Sequence, residues 1–248
     1  DQLKLVGAKI KYIPIFEKIK NFKKYKTNKT KLLILNNPNN PSGVFFDKNK
    51  LKEIYDFCKK NKIYILSDEA YSDFIPNNKK FFSMSAFDKS KKNTIVVNSI
   101  SKNFGMSGWR IGYVISNQDL IEQFLILNQQ LITCAPTILQ TYISRYFNKI
   151  LNNNKSEIRR LLEKRIKVTN FLKKNNIEYL ASDCTFYIFI KTGKNNTKFN
   201  KILIKKYGIS VVPGKFYGSK SSLYVRISIG TENLNKIISA LKIIRKNI

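Results

Sequence analysis

The segment NSISKNFGMSGWRIGY spans Asn98–Tyr113 and connects two short apolar runs, Thr94–Asn98 and Ile111–Ser116, which are typical of β-strands. Its lysine, Lys102, is one of 46 Lys and Arg residues, most of which must face water. Lys102 differs from the others in position, because it follows the end of a predicted strand. Ligands bind at the carboxyl ends of strands in open α/β sheets. The segment therefore indicates both a sheet and a site beside it.

The first half of the chain alternates apolar β-branched runs with helical patterns. Between Asp47 and Cys58 the apolar residues recur with a helical period, which predicts a helix capped by Asp47. Continuous apolar strands between helices are typical of a mostly parallel sheet with both faces covered, and we expect an α/β fold. The predicted strands are Ala8–Ile15, Lys31–Leu35, Ile63–Leu66, Thr94–Asn98 and Ile111–Ser116.

In the second half of the chain, the alternation of strands and helices gives way to a long helical pattern followed by short strands. Residues from Gln118 to about Asn175 follow a mainly helical pattern with a break at Ala135–Pro136, and we expect the polar tract Asn148–Lys155 to form a loop. Strands and a terminal helix capped by Thr231 then predict a smaller α+β domain. These strands are Phe186–Ile190, Ile209–Val212 and Leu223–Ser228. We place the domain boundary at residue 150, with residues 1–150 in the large domain and 151–248 in the small one.

Composition excludes several functional classes. The 248 residues carry a net charge of +30, which could indicate a nucleic-acid or anionic-membrane partner. The charge lies all along the chain, so we favour a solvated lysine-rich surface, with no specific nucleic-acid partner and no membrane partner. No apolar run approaches the roughly 20 residues that span a bilayer. An odd number of cysteines, three, favours a reducing compartment, and we expect a cytoplasmic protein.

The residue types also limit the chemistry. The chain has no histidine and no CxxC pair, which argues against a structural zinc site and excludes a Ser-His-Asp mechanism. Catalysis must then use Lys, Tyr, Asp, Glu or a bound cofactor.

Polar side chains follow three predicted strands at the point where each strand ends. The segments are NNPNNPSG (Asn36–Gly43), SDEAY (Ser67–Tyr71) and SISK (Ser99–Lys102). Taken singly, the first could be a turn, the acids could be helix caps, and Lys102 could be a solvated lysine. Because the ends of parallel strands meet at one edge of a sheet, we expect the polar residues to converge there. They are Asn40, Asp68, Tyr71 and Lys102.

Together these segments resemble one family, the class I pyridoxal-phosphate-dependent aminotransferases of the aspartate aminotransferase-like group, fold type I. NNPNNPSG is similar to that family's N-P-x-N-P-(S/T)-G, SDEAY to its D-x-x-Y, and SISKNFGMSGWRIGY to its lysine segment. VVPGKFYG (Val211–Gly218) and YVRISIG (Tyr224–Gly230) resemble its small-domain motifs. The resemblance implies a three-layer large domain that binds pyridoxal 5'-phosphate, here partial, and a small C-terminal domain that includes the interdomain helix.

The resemblance assigns a role to each converging residue. Lys102 would form the Schiff base with the cofactor aldehyde and, once freed by substrate, would move the proton at the substrate α-carbon. Asp68 would keep the pyridine nitrogen protonated, which makes the ring an electron sink. Tyr71 and Asn40 would hydrogen-bond the ring's 3'-oxygen.

Two further contacts follow from the same resemblance. Ser99, Ser101 and Arg110 would hold the cofactor phosphate, for which the planar arginine fork is well suited. Arg226 would bind the substrate α-carboxylate, together with Asn40. The implied reaction moves an amino group between an amino acid and a 2-oxo acid. We expect aspartate and 2-oxoglutarate as the substrate pair and a homodimer as the assembly.

The sequence also departs from the family. We expect the family's N-terminal part to be missing, including a glycine-rich turn for the cofactor phosphate and an aromatic residue stacked on the cofactor ring. Without this part, the surface that it should cover would be exposed. Cys184 stands where the family often has glycine. Two alternatives remain open: another fold type I enzyme, such as a lyase or decarboxylase, and a truncated inactive homologue that acts as a basic binding protein.

Overall fold

Four strands form a sheet in the first half of the computed structural model, which describes residues 2–193, 196–218 and 221–248. They are β1 Leu32–Asn36, β2 Tyr64–Asp68, β3 Thr94–Ser99 and β4 Gly112–Ile115, in the order β1-β2-β3-β4. The β1–β2 and β2–β3 pairs are parallel, and β3–β4 is antiparallel. The α/β class and the mostly parallel sheet are confirmed.

Helices connect and cover the strands. In the described residues the α-helices are α1 Gln2–Leu5, α2 Lys48–Lys60, α3 Ile100–Asn103, α4 Gln118–Leu131, α5 Thr137–Lys174, α6 Asn196–Tyr207 and α7 Leu234–Asn247. The predicted helix after Asp47 is α2, and the Asp47 side chain caps it by accepting a hydrogen bond from the Lys50 backbone at 2.8 Å. Helix α2 packs its buried side chains, Leu51 and Ile54 among them, into one core with Leu35 and Ile65 from the sheet.

The second sheet contains three short antiparallel strands. They are β5 Tyr187–Lys191, β6 Val212–Pro213 and β7 Tyr224–Ser228, in the order β5-β7-β6. Its core includes Ile188 and Val225 from the strands, Val168 and Leu172 from α5, and Leu241 from α7. This part contains both helices and strands, and β5 and β7 lie close to the predicted positions, whereas the predicted strand Ile209–Val212 shares only Val212 with β6.

Helix α5 connects the two halves through a single apolar stripe. Its first turns pack on Ile100 and Phe104 beside Lys102, its middle packs on Tyr71 and Tyr187, and its last turns enter the core of the second sheet. The proposed domain boundary at residue 150 therefore falls within a continuous helix. The division into residues 1–150 and 151–248 remains a prediction.

Three local predictions were wrong. Ala8–Ile15 is not a strand, because no strand of the described chain lies beside it to pair with its backbone, and Pro14 has no N–H to donate. Asn148–Lys155 is helical, because Ile150 and Leu151 continue the apolar stripe of α5 into its core. The terminal helix is capped by Asn233 rather than Thr231, since the Asn233 side chain accepts from the Lys236 backbone at 2.9 Å.

The two faces of the first sheet differ in their cover. Helix α2 covers one face. On the other face the neighbouring side chains of Leu32, Ile34 and Tyr64 remain 38%, 47% and 42% exposed. Across the described ranges, no helix has both the length and the apolarity needed to cross a membrane.

Candidate active site

The ends of β1 and β2 are joined by the side chain of Asn36. Its amide nitrogen donates to the Asp68 backbone oxygen at 3.2 Å, and its oxygen accepts from the Asn40 backbone at 2.6 Å. Asn36 and Asp68 also face each other in the parallel register. The Asn36–Gly43 loop is therefore fixed to the end of β2, and Asn40 and Asp68 share one edge of the sheet.

Asp68 is a half-buried carboxylate whose loss of hydration is offset by few contacts from the protein. Burial raises its pKa, and one hydrogen bond from the Ala70 backbone to Oδ1, at 3.1 Å, acts in the opposite direction. Among the described residues no basic side chain forms an ion pair with it. A protonated nitrogen from a ligand would therefore find an acceptor here.

Lys102 lies in α3, immediately after β3. Ser99 caps this short helix by accepting from the Ser101 backbone at 3.1 Å, which fixes the turn that carries the lysine. The Lys102 Nζ lies 5.8 Å from the centre of the Phe186 ring, next to β5 of the second sheet. The lysine therefore faces the junction between the two sheets.

Tyr71 occupies the same junction. Its buried ring packs edge-on against Phe186 and Tyr187, with ring centres 5.8 and 5.9 Å away. Its hydroxyl accepts a hydrogen bond from the Asn40 side chain at 3.5 Å. Burial, followed by the hydrogen bond with Tyr187, raises the Tyr71 pKa, and the nearby Arg226 cation partly opposes this.

Arg226 reaches the site from β7. Its Nη1 donates to the Asn40 side-chain oxygen at 3.1 Å, across 186 positions of sequence. Its guanidinium carbon lies 4.2 Å from the centre of the Tyr187 ring and 5.6 Å from that of Tyr217, which are cation–π distances. Its Nε is buried without a hydrogen-bond partner in the described chain. A bound anion could supply that partner.

Arg110 is placed differently from the other candidates. Its backbone lies near Ser99, because Gly112 pairs with Ser99 across β3 and β4. Its side chain is exposed, however, and its Nη1 donates to the Ser107 backbone oxygen at 2.9 Å. Within the described structure Arg110 forms no hydrogen bond with Ser99 or Ser101. A shared phosphate-binding role for the three residues remains a prediction.

Sequence reasoning missed several residues of this site. Phe186, Tyr187 and Tyr217 form its aromatic wall. Arg165 lies behind that wall, fully buried, and donates to backbone oxygens that include that of Tyr187. One signal could have identified Arg165, since it is a charged residue within the apolar stripe of α5.

Glu69 follows Asp68 immediately after the end of β2 and is buried. Its Oε1 accepts from the Ser67 and Ser83 hydroxyls and the Met84 backbone at 2.9, 3.0 and 3.0 Å. Burial nevertheless raises its pKa. These contacts fix the turn that follows β2 and carries Tyr71.

Together these contacts bring Asn40, Tyr71, Lys102 and Arg226 to the junction between the two sheets of an α/β protein. The family model for aminotransferase class I and II matches residues 1–241. The chain belongs to this family.

Individual relatives agree with this assignment. The chain is 34% identical to a (5-formylfuran-3-yl)methyl phosphate transaminase of Methanocaldococcus jannaschii, over 97% of this chain and 64% of the relative. It is 33% identical to an aspartate aminotransferase of Pyrococcus abyssi, over 92% and 61%. The structure of an aromatic aminotransferase from Pyrococcus horikoshii has a TM-score of 0.84 at 31% identity, covering 93% of this chain and 63% of that one. This chain thus spans less than two thirds of the length of these relatives.

Proposed function

We propose that this chain carries the catalytic lysine and the carboxylate-binding arginine of a pyridoxal-phosphate-dependent aminotransferase. The reaction moves an amino group between an amino acid and a 2-oxo acid. One observation carries the proposal: Arg226 of the second sheet is bound to Asn40 of the first, in the junction that Lys102 faces. The site would lie between a cofactor-binding domain of residues 1–150 and a small domain of residues 151–248.

The residues present fit pyridoxal phosphate. The half-buried Asp68 carboxylate, which has no cationic partner in the described chain, suits a protonated pyridine nitrogen. Asn40 and Tyr71 would hold the ring oxygen, and Ser99, Ser101 and Arg110 would hold the phosphate. When bound, the cofactor supplies an electron sink for the substrate α-carbon.

The chain's own groups would perform the remaining work. Lys102 would hold the cofactor covalently, and its free amine would carry the proton to and from the substrate α-carbon. Arg226 would bind the substrate carboxylate through its two-pronged guanidinium, held in orientation by Asn40 and the Tyr187 ring. The aromatic wall would exclude water from the lysine.

We propose aspartate and 2-oxoglutarate as the substrate pair. Support comes from the aspartate aminotransferase of Pyrococcus abyssi, although other relatives are named for aromatic and furan substrates. A homodimer in the cytoplasm completes the proposal, and the three free cysteines are consistent with a reducing compartment.

The first test is spectroscopic. Addition of pyridoxal phosphate should produce the absorption band of a lysine-bound cofactor in the wild-type protein. The band should be absent in Lys102→Ala and retained in Lys92→Ala, an exposed lysine used as the control. Absence of the band in the wild type would refute cofactor binding by this chain.

The second test separates aminotransferase from the related chemistries. Incubation of the loaded protein with aspartate should give the 2-oxo acid and pyridoxamine phosphate in equal amounts. Arg226→Lys should lower kcat/KM by roughly 100-fold, because the loss of bidentate binding to the carboxylate costs about 2.7 kcal/mol. Release of ammonia or carbon dioxide instead would identify a lyase or a decarboxylase.

A further inference from the structure

Arg165 is a buried cation that the proposed chemistry does not use. It is 1% exposed, in the C-terminal third of α5, between the core of the second sheet and the aromatic wall of the site. Burial lowers its pKa to about 10, so it stays protonated at neutral pH. A buried charge is costly unless hydrogen bonds compensate it, so its partners must be well placed.

The partners of Arg165 belong to the segment that precedes and begins β5. Its Nη1 donates to the backbone oxygens of Tyr187 and, at 3.5 Å, Thr185. Its Nη2 donates to the backbone oxygen and the hydroxyl of Ser182, at 3.1 and 2.7 Å. Arg165 thereby fixes the backbone of Tyr187, whose ring stacks on the Arg226 guanidinium at 4.2 Å.

Ser182 extends this network to the first sheet. Its hydroxyl accepts from Arg165 and donates to the Ser42 backbone oxygen at 2.6 Å. Ser42 lies two residues after Asn40, the residue that binds Arg226. The contact is close-packed: a Cβ on Gly43 would lie 2.7 Å from the Ser182 hydroxyl and 2.9 Å from Arg165 Nη2.

We propose that Arg165 is a positioning residue. It acts through Ser182 and Tyr187 to keep Asn40 and Arg226 in the mutual position that lets them hydrogen-bond between the two sheets. Through Ser182, Arg165 holds the loop that carries Asn40. Through the backbone of Tyr187, it holds the ring that lies against the Arg226 guanidinium. The link should set the affinity for the substrate carboxylate while leaving attachment of the cofactor to Lys102 intact. This second consequence rests on the proposed function, whereas the positioning itself does not.

Hydrogen exchange tests the positioning without any ligand. In Ser182→Ala, which keeps Arg165 and its backbone bonds, amides in residues 36–46 should exchange roughly 5-fold faster than in the wild type, the scale of one lost buried hydrogen bond. Amides of Leu234–Asn247 should not change. Arg159→Met, at an exposed arginine of the same helix, is the control and should leave both regions unchanged.

Two exchange results would overturn the proposal. The first is unchanged exchange in residues 36–46 of Ser182→Ala. The second is acceleration throughout the chain, including Leu234–Asn247, which would indicate a purely structural role. Arg165→Met and Arg165→Lys extend the test if they fold, with Lys restoring part of the protection because it keeps a charged donor.

Kinetics tests the consequence for the site. If the wild-type protein forms the lysine-bound cofactor band, Ser182→Ala should raise KM for the amino acid by roughly 10-fold, with cofactor affinity within about 2-fold of wild type. Equal losses in cofactor and substrate binding would contradict selective positioning of Arg226. A wild-type protein without the band would refute the proposed function alone, and the exchange result would still decide the role of Arg165.

Discussion

Lys102 and Arg165 are two of 46 basic residues, and their surroundings separate them from the rest. Lys102 lies at the end of a strand and faces an aromatic wall. Arg165 is buried, and its Nη atoms donate to backbone oxygens and to the Ser182 hydroxyl, whereas its Nε has no partner in the described chain. Asp68 and Glu69 show the same dependence on position, since within the described chain Glu69 Oε1 accepts three hydrogen bonds and the Asp68 carboxylate accepts one.

The raised pKa of Glu69 predicts a pH-dependent effect on stability. The unfolded group titrates near 4.5, whereas burial raises the native pKa, so the native state binds more protons between these two values. This group therefore makes the wild type less stable as pH rises through that window. Glu69→Gln keeps an acceptor for Ser67, Ser83 and Met84 but cannot ionise.

We expect the free energy of unfolding of Glu69→Gln, minus that of the wild type, to increase from pH 4.5 upward and then become constant. Urea denaturation across this range measures it. Glu53→Gln, at an exposed position of α2, is the control for loss of one carboxylate. A difference that stays constant or decreases with pH would contradict a buried, penalised carboxylate at position 69.

At the scale of the elements, helix ends and apolar stripes decide where structure begins and stops. Helix α2 begins at the Asp47 cap and ends in a Schellman arrangement, in which the Ile63 backbone donates to Cys58 at 2.9 Å and the Lys62 backbone donates to Lys59 at 3.2 Å. Helix α5 instead continues for 38 residues because its stripe finds a core on both sheets. Local residue preference in its Asn-rich tract is too weak to interrupt that packing.

The end of α2 provides a stability prediction. Lys62 has φ 54°, a left-handed conformation in which a Cβ is unfavourable and glycine is not. Lys62→Gly should therefore stabilise the protein by about 0.5–1 kcal/mol, as measured by urea denaturation. Lys60→Gly, at the last helical residue, is the matched control and should destabilise by about 1 kcal/mol. Destabilisation by Lys62→Gly would show that the lysine side chain has a role at this turn.

The whole molecule combines a well-packed junction with a sheet face that is partly uncovered. The junction is fixed by α5, Arg165 and the Arg226–Asn40 bond. The uncovered face contains the neighbouring Leu32, Ile34 and Tyr64, and β1 is an edge strand. Contiguous exposed apolar side chains and an open edge both favour association.

We therefore expect the 28.9 kDa chain to form species larger than a dimer as its concentration rises. Ile34→Lys should reduce this association, because a charge on an exposed edge strand opposes edge-to-edge pairing. Sedimentation equilibrium over a range of concentrations measures it. Ile202→Lys, at a similarly exposed position on α6, is the control and should leave the association unchanged. Equal effects of the two substitutions would indicate a general response to added charge.

The sequence by itself determined the α/β class, the order of the main elements and the strand ends that carry Asn40, Asp68, Tyr71 and Lys102. These features depend on the local period of apolar residues and on the polar residues that follow apolar runs. Both can be read directly from the order of residues in the sequence. Local pattern was insufficient where pairing or packing decides. Ala8–Ile15 has the composition of a strand but no partner in the described chain, and Asn148–Lys155 has the composition of a loop but lies on a helix with a core beneath it.

Only the tertiary structure decided how the two sheets meet. The bond between Asn40 and Arg226 joins residues 186 positions apart, and the Arg165–Ser182–Ser42 connection joins three separate segments. No local signal specifies such contacts, because their geometry depends on how α5 packs against both sheets at once. The polar residues that follow the strands are therefore visible in the sequence, whereas the aromatic wall, Arg165 and the mutual orientation of all these groups are properties of the folded junction.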